Sequence, residues 1–409
     1  MAREHRIDTV IERRLCSGCG ACAYIGEEHG VTMVDVPHVG KRPVGVRQLP
    51  LFVKDQIADV CPGSQVTGPS WGDHVPDRNE VLVGPAVRIW EGWASDAETR
   101  FAGSSGGVVT ALATYALEKL GMAFVVHTGM DPDRPWRNRT IVSSDRASLV
   151  ANASSRYTTS SPVEALRLIE ESDRPCVFIG KPCDVAAVAE LRKTRPRLDR
   201  NLGLVLSFFC AGTPASEGSR KLAAELGFED SNEITSLRYR GRGWPGNFVV
   251  TDGEDEASIT YDESWGRLAR GQRQLRCHLC PDGLGELADV TGGDAWHRRP
   301  EGTDGISLIL ARTERGREIV EGALRDGYLE ATPSNHKRVV DAQGLVRRRR
   351  LVLTRMVALR TLLLPTPSFP GFRLRAASAQ VGVRDHVKEF LGTVKRAVKR
   401  GFFRPEPRN

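Results

Sequence analysis

Apolar residues along this chain come in two arrangements that alternate with each other. Continuous runs of strand length lie at 81–83, 87–90, 123–130, 175–180, 202–209 and 306–313. Such runs suit strands buried on both faces. Between them the apolar positions recur at helical spacing. Val108, Leu112, Tyr115, Ala116 and Leu120 form one stripe that ends at Gly121. Further helical patterns follow at 162–172, after Ser161 as N-cap and Pro162 in the first turn, at 185–194 and at 316–327. Strand, glycine-bearing turn, helix and strand in succession predict an α/β fold, with a mixed, largely parallel sheet flanked by helices.

Three regions emerge. Residues 1–70 are cysteine-rich, 71–330 carry the alternating pattern, and 331–409 form a basic, partly helical extension. That extension holds a bare basic run, 347–350, then the proline-rich break LLLPTPSFPGF. Its last helical stripe comprises Val387, Phe390, Leu391, Val394 and Val398, with Lys388, Lys395, Arg396, Lys399 and Arg400 around it. A basic amphipathic helix of this kind suits either the protein's own body or peripheral contact with an anionic membrane. No run reaches the roughly 18–20 apolar residues of a membrane-spanning helix. The N-terminus is charged and lacks a hydrophobic signal core, so a cytoplasmic protein is expected.

Composition changes the picture at one point. The chain has 409 residues, 40% of them hydrophobic, which is enough for a large core. It also has nine cysteines, which in a cytoplasmic setting point to metal ligation rather than disulfides. Cys16, Cys19 and Cys22 stand at successive C-x2-C spacing, and Cys61-Pro62 follows later. That array is the bacterial ferredoxin signature of one 4Fe–4S cluster. No further cysteine follows soon after Cys22, so this end holds one cluster, and His29 and His38 are read as surface residues, with substitute ligation as the alternative. A second C-x2-C pair, Cys277 and Cys280, needs two more ligands. Cys183 and Cys210 each follow a strand-like run, where functional residues of parallel sheets collect, and they complete a second quartet. Cys176 is left as a spare buried thiol.

Two further stretches attract attention. Ser104-Ser105-Gly106-Gly107 before the 108–120 stripe would offer free amides to an anion such as a cofactor phosphate, or merely cap the helix. The basic turn RYRGRGWPGN carries Arg240, Arg242, Trp244 and Asn247. The net charge of +7 and pI near 9.0 suit an anionic partner or a solvated basic surface. Much of the excess lies in the tail.

SSGGVVTAL, RYTTSSPVEAL, FIGKPCDVAAV, FFCAGTPAS, RGWPGNF and RCHLC followed by ELADVTGGDAW resemble the coenzyme F420 hydrogenase/dehydrogenase beta-subunit family. That family also includes plant and cyanobacterial 7-hydroxymethyl chlorophyll a reductase. The resemblance runs from about Leu15 to about Gly316, with the motifs in family order. It implies a ferredoxin-like 4Fe–4S segment followed by a domain binding FAD beside a second 4Fe–4S cluster, ligated by Cys183, Cys210, Cys277 and Cys280. It places Ser105, Gly106, Gly107, Tyr157 and Thr158 at the flavin. Lys181 departs from the small or apolar residue usual before Pro-Cys; it either tunes the flavin or reaches solvent.

The implied function is an oxidoreductase passing electrons between a hydride carrier such as coenzyme F420, or another organic substrate, and 4Fe–4S clusters through FAD. A redox partner protein or ferredoxin is the expected other end, and no nucleic acid is expected. Two alternatives stand beside it. One is a zinc-stabilised module binding nucleic acid or protein. The other is a reductase serving cell-surface polysaccharide metabolism.

Overall fold

The computed structural model describes residues 6–269, 272–299 and 304–406. Eight strands form the central sheet, in the spatial order Leu329–Pro333, Arg88–Ala94, Ser307–Ala311, Val290–Asp294, Leu202–Phe208, Cys176–Gly180, Val125–Met130, Asn138–Ser143. The four from Val290–Asp294 to Val125–Met130 are parallel, and the remaining pairings are antiparallel.

Side-chain alternation explains why the parallel strands are continuously apolar. Val177, Leu204 and Leu206 enter one face, where Leu112, Tyr115 and Val320 cover them. Phe178, Leu202 and Val205 enter the other, against Val185, Val188 and Leu191. With period two and helices on both sides, most positions along these strands are withdrawn from water, and Phe208 at a strand end is the exposed exception. Each fully buried side chain of this size contributes about 1.5–3 kcal/mol.

The second face also receives the N-terminal segment through Cys19, Tyr24 and Val60. That segment is an antiparallel hairpin, Thr32–Val36 with Gly40–Val44, and helices Arg6–Glu12, Ala21–Ile25 and Leu51–Val60. A smaller three-stranded antiparallel sheet of Ser236–Arg238, Asn247–Thr251 and Glu256–Thr260 packs beside the main one with its own core around Leu237 and Phe248.

Several expectations change. Residues 81–83 lie in the helix Arg78–Val83, not in a strand. A capping box decides it: Asp77 accepts from the Glu80 amide, and Glu80 accepts from the Asp77 amide. The stripe at 108–120 forms the helix Val108–Glu118, with Gly107 as N-cap. Ser161 precedes a 3-10 turn, Pro162–Ala165, and its hydroxyl donates to the Gly18 carbonyl rather than capping. The basic run 347–350 is not bare. Arg349 is fully buried, because its guanidinium meets Glu286 and the Phe372 carbonyl. No helix among the described residues is long and apolar enough to cross a membrane.

Candidate functional site

Cys183 stands in the first turn of the Pro182–Thr194 helix, directly after the Cys176–Gly180 strand. Cys210 follows the neighbouring parallel strand, and Cys277 belongs to the short helix Leu275–His278. With Cys280, all four line one cavity, together with Ser17, Lys181, Arg276, Asp282 and Arg348. Donors point at two of the sulfurs. The Gly212 amide approaches Cys210 Sγ at 3.4 Å and the Thr213 amide approaches Cys277 Sγ at 3.5 Å.

Cys16, Cys19, Cys22 and Cys61 line a second cavity. Ser17 contributes to both walls, so the two thiol sets are close neighbours. Cys176 is buried elsewhere, and His29 and His38 are exposed. The tight N-terminal loop depends on Gly20, at φ +98°, where a Cβ would stand 2.7 Å from the Ser161 carbonyl oxygen.

Burial dominates the thiol chemistry. It pushes Cys19 and Cys210 up to about 12 and Cys61 to about 11, and neighbouring sulfurs push in the same direction. Cys16, Cys22, Cys183 and Cys280 are raised for the same first reason. Thiols packed this way keep their protons unless a metal centre supplies positive charge. Among the described residues, no three His, Cys, Asp or Glu side chains converge closely enough to hold a single metal ion. The sulfurs surround open space rather than a point.

Lys181 does not reach solvent. It is 2% exposed, and its Nζ donates to Asp184 Oδ1 at 2.5 Å and to the Ser160 carbonyl at 2.8 Å. Arginines gather near the first cavity. Burial, then Arg273, Arg396, Arg400 and Arg355, push His278 down to about 2. Burial, then Arg273 and Arg355, push Arg348 down to about 10.

The predicted flavin segments meet at Arg240, which is buried rather than solvated. Its guanidinium donates to both Asp294 oxygens, to the Ser104 carbonyl and, at 3.4 Å, to the Tyr157 hydroxyl. It lies 4.6 Å from the Tyr261 ring centre and 5.1 Å from that of Trp296. Trp244 stacks on Trp296 and donates to Asp294, while Tyr157 packs on Trp265 at 4.7 Å. Arg242 and Asn247 stay exposed.

The Ser-Gly-Gly turn is locked onto the sheet. The Gly106 amide donates to Ser307 Oγ, and the Ser105 hydroxyl donates to the Ile306 carbonyl. A Cβ on Gly106 would stand 2.7 Å from the Gly92 carbonyl oxygen. Thr158 is buried, and its hydroxyl has no partner among the described residues. From Tyr157 the chain runs to Ser160, which holds Lys181, and to Ser161, which holds Gly18. One short loop therefore links the aromatic nook to both thiol cavities.

Sequence reasoning gave no role to Asp294, Tyr261, Trp265 or Trp296. An acid and a tryptophan flanking Ala295 directly after Gly292-Gly293 were the available signal.

The profile for the N-terminal part of the beta subunit of coenzyme F420 hydrogenase/dehydrogenase matches residues 89–167, and that for its C-terminal part matches 173–337. The chain belongs to this family. Both halves fall on the central α/β body, and the family is one of oxidoreductase subunits.

Among curated relatives, the coenzyme F420 hydrogenase subunit beta of Methanosarcina barkeri is 26% identical over 261 residues, covering 62% of this chain and 84% of the relative. The F420-dependent formate dehydrogenase 1 subunit beta of Methanococcus maripaludis is 24% identical, covering 60% of this chain and 61% of its own length. The fold is shared with a chain from a xenon derivative of the F420-reducing NiFe hydrogenase complex of Methanosarcina barkeri. The TM-score is 0.51 at 20% identity, over 68% of this chain and 96% of that one.

Proposed function

We propose that this family member is an iron–sulfur flavoprotein subunit that exchanges electrons with coenzyme F420. The carrying observation is that eight cysteines divide into two sets of four, each lining its own cavity, with Ser17 in both walls. The donor sets fit 4Fe–4S clusters: Cys183, Cys210, Cys277 and Cys280 would hold one, and Cys16, Cys19, Cys22 and Cys61 the other. A zinc site needs sulfurs about 2.3 Å from one ion, and thiols ringing open space suit it less well. FAD, when bound, supplies conversion between hydride transfer and single-electron transfer.

This chain's residues provide the setting. The Gly212 and Thr213 amides donate to Cys210 and Cys277, which favours negative charge on those sulfurs. The arginines around His278 add positive potential on the same side. Arg240, neutralised by Asp294, fixes the Ser104 and Tyr157 loops relative to each other. The unpartnered Thr158 hydroxyl and the Tyr157 ring are the groups offered to a flavin, with Ser105, Gly106 and Gly107 forming the turn beside them. Lys181 keeps a buried positive charge near thiols of both sets. The Cys16 end faces an electron-carrying partner protein.

Anaerobically purified protein should be brown, release flavin on denaturation and oxidise reduced coenzyme F420. Cys277→Ser should abolish one reduced-cluster signal in electron spin resonance, and Cys19→Ser the other. A colourless zinc protein, or two signals that survive either change, would reject the assignment.

A further inference from the structure

The helix Val383–Lys399 carries a surface that the electron-transfer reading does not use. Its body side is settled: Thr393 and Ala397 are buried, Glu389 pairs with Arg355 at 2.7 Å, and His386 Nδ1 meets Thr354 Oγ1 at 2.6 Å. The predicted apolar stripe lies on another face. Val383, Val387, Leu391 and Val398 are 53% to 79% exposed. At 3.6 residues per turn they fall, with Val394, within about 80° of arc and extend over about 22 Å of helix.

The adjoining arc, about 60° wide, holds Arg384, Lys395, Lys388 and Lys399 in sequence around the axis. None of these four has an ion-pair partner among the described residues. Three faces therefore follow one another around a single helix: one packed on the protein, one apolar and open, one cationic and unneutralised.

We propose that this helix docks the protein on an anionic membrane surface. The apolar side chains would enter the headgroup boundary, and the adjacent cations would meet lipid phosphates. Charge complementarity selects this occupant. An uncharged apolar partner leaves the cationic row unmatched, whereas an anionic bilayer satisfies both faces at once, and lysine stems reach past an apolar stripe to the charged layer. Packing on the body is retained in the docked state, because it uses the Glu389, Thr393 and Ala397 side.

The test is vesicle flotation of the full-length protein. Wild type should rise with vesicles of phosphatidylcholine and phosphatidylglycerol, rise much less with phosphatidylcholine alone, and be released by high salt. Val387→Asp with Leu391→Asp, and separately Lys388→Glu with Lys395→Glu, should each weaken binding by about tenfold or more. All four positions lie on the exposed faces, and circular dichroism checks that the fold is kept.

Wild type left unbound by both vesicle types overturns the proposal, and so does undiminished binding by both double variants. Light scattering showing a dimer that Leu391→Asp converts to monomer, without vesicle binding, overturns it in favour of a second copy. Flavin and iron content should not change in any variant, so failure here leaves the redox reading separately testable.

Discussion

Lys181 and His127 show what burial does to a single ionisable side chain with and without an opposite charge. Lys181 keeps its proton because Asp184 lies beside it. Burial pushes the Asp184 carboxyl up to about 6 while the lysine charge pulls it down. His127, on the Val125–Met130 strand, meets the Ser143 hydroxyl at 2.8 Å and the Thr128 backbone but no opposite charge among the described residues, and burial pushes its imidazole down to about 4 from 6.5. The unfolded chain takes up a proton below pH 6.5 that the folded chain refuses until about pH 4. Stability present above pH 6.5 is therefore lost as pH falls through that window, by about 3 kcal/mol at the limit. His127→Gln should flatten this loss. Urea midpoints for the two proteins, compared from neutral to mildly acidic pH, would show parallel curves if the histidine were not responsible.

Among the elements, the loop carrying Cys280 is held to the C-terminal extension by one buried pair. Arg349 of the Arg349–Thr361 helix donates to Glu286 and to the Phe372 carbonyl, and both side chains of the pair are 1% exposed. Removing the arginine alone strands a buried carboxyl, so Arg349→Met should cost about 3 kcal/mol. Adding Glu286→Leu should recover most of the loss in urea denaturation; an additive double variant would show that the two do not act as a pair.

This contact also marks where sequence reading ran out. Strands such as CVFIG and LGLVLSF were legible because burial on both faces leaves a continuous apolar run. The gathering of the cysteines at two cavities was legible because C-x2-C spacing and strand ends are local features. The helix Arg78–Val83 was misread because a short β-branched run resembles a strand, and its capping box outweighs that preference. Arg349 was read as part of a bare basic run and Arg240 as facing an anionic partner or solvent, because their acids lie 63 and 54 residues away. No local pattern encodes such pairings.

On the scale of the whole molecule, the two ends of the chain build one core. Ile7, Val10, Val53 and Ile57 from the start pack with Val352, Met356, Leu359, Phe372 and Phe402 from the extension. The backbone joins them as well: the Val66 amide donates to the Ser368 carbonyl at 3.0 Å, and the Gly68 amide to that of Pro370 at 2.8 Å. Glu406 closes the arrangement on Arg42 with two short charged hydrogen bonds, at 2.6 and 2.7 Å. The cavity lined by Cys16, Cys19, Cys22 and Cys61 includes Ile7, Val10 and Ile57 in its wall, so its shape depends on this shared core. On the proposed two-cluster reading, a chain stopped after Gln343 should therefore lose the spin-resonance signal of the N-terminal set and expose residues 6–66 to limited proteolysis. The central sheet keeps two cores, around Leu204 and around Phe178, and loses Val346 and Ala377 from a third around Leu308 and Leu310, so most of its helical and strand content should survive by circular dichroism. The cavity around Cys183 would lose Leu345, Val346 and Arg348 from its lining but no sulfur, so its signal should broaden or shift rather than vanish. Retention of both signals unchanged, with no new proteolytic site before residue 66, would mean that the N-terminal segment holds its form without the extension.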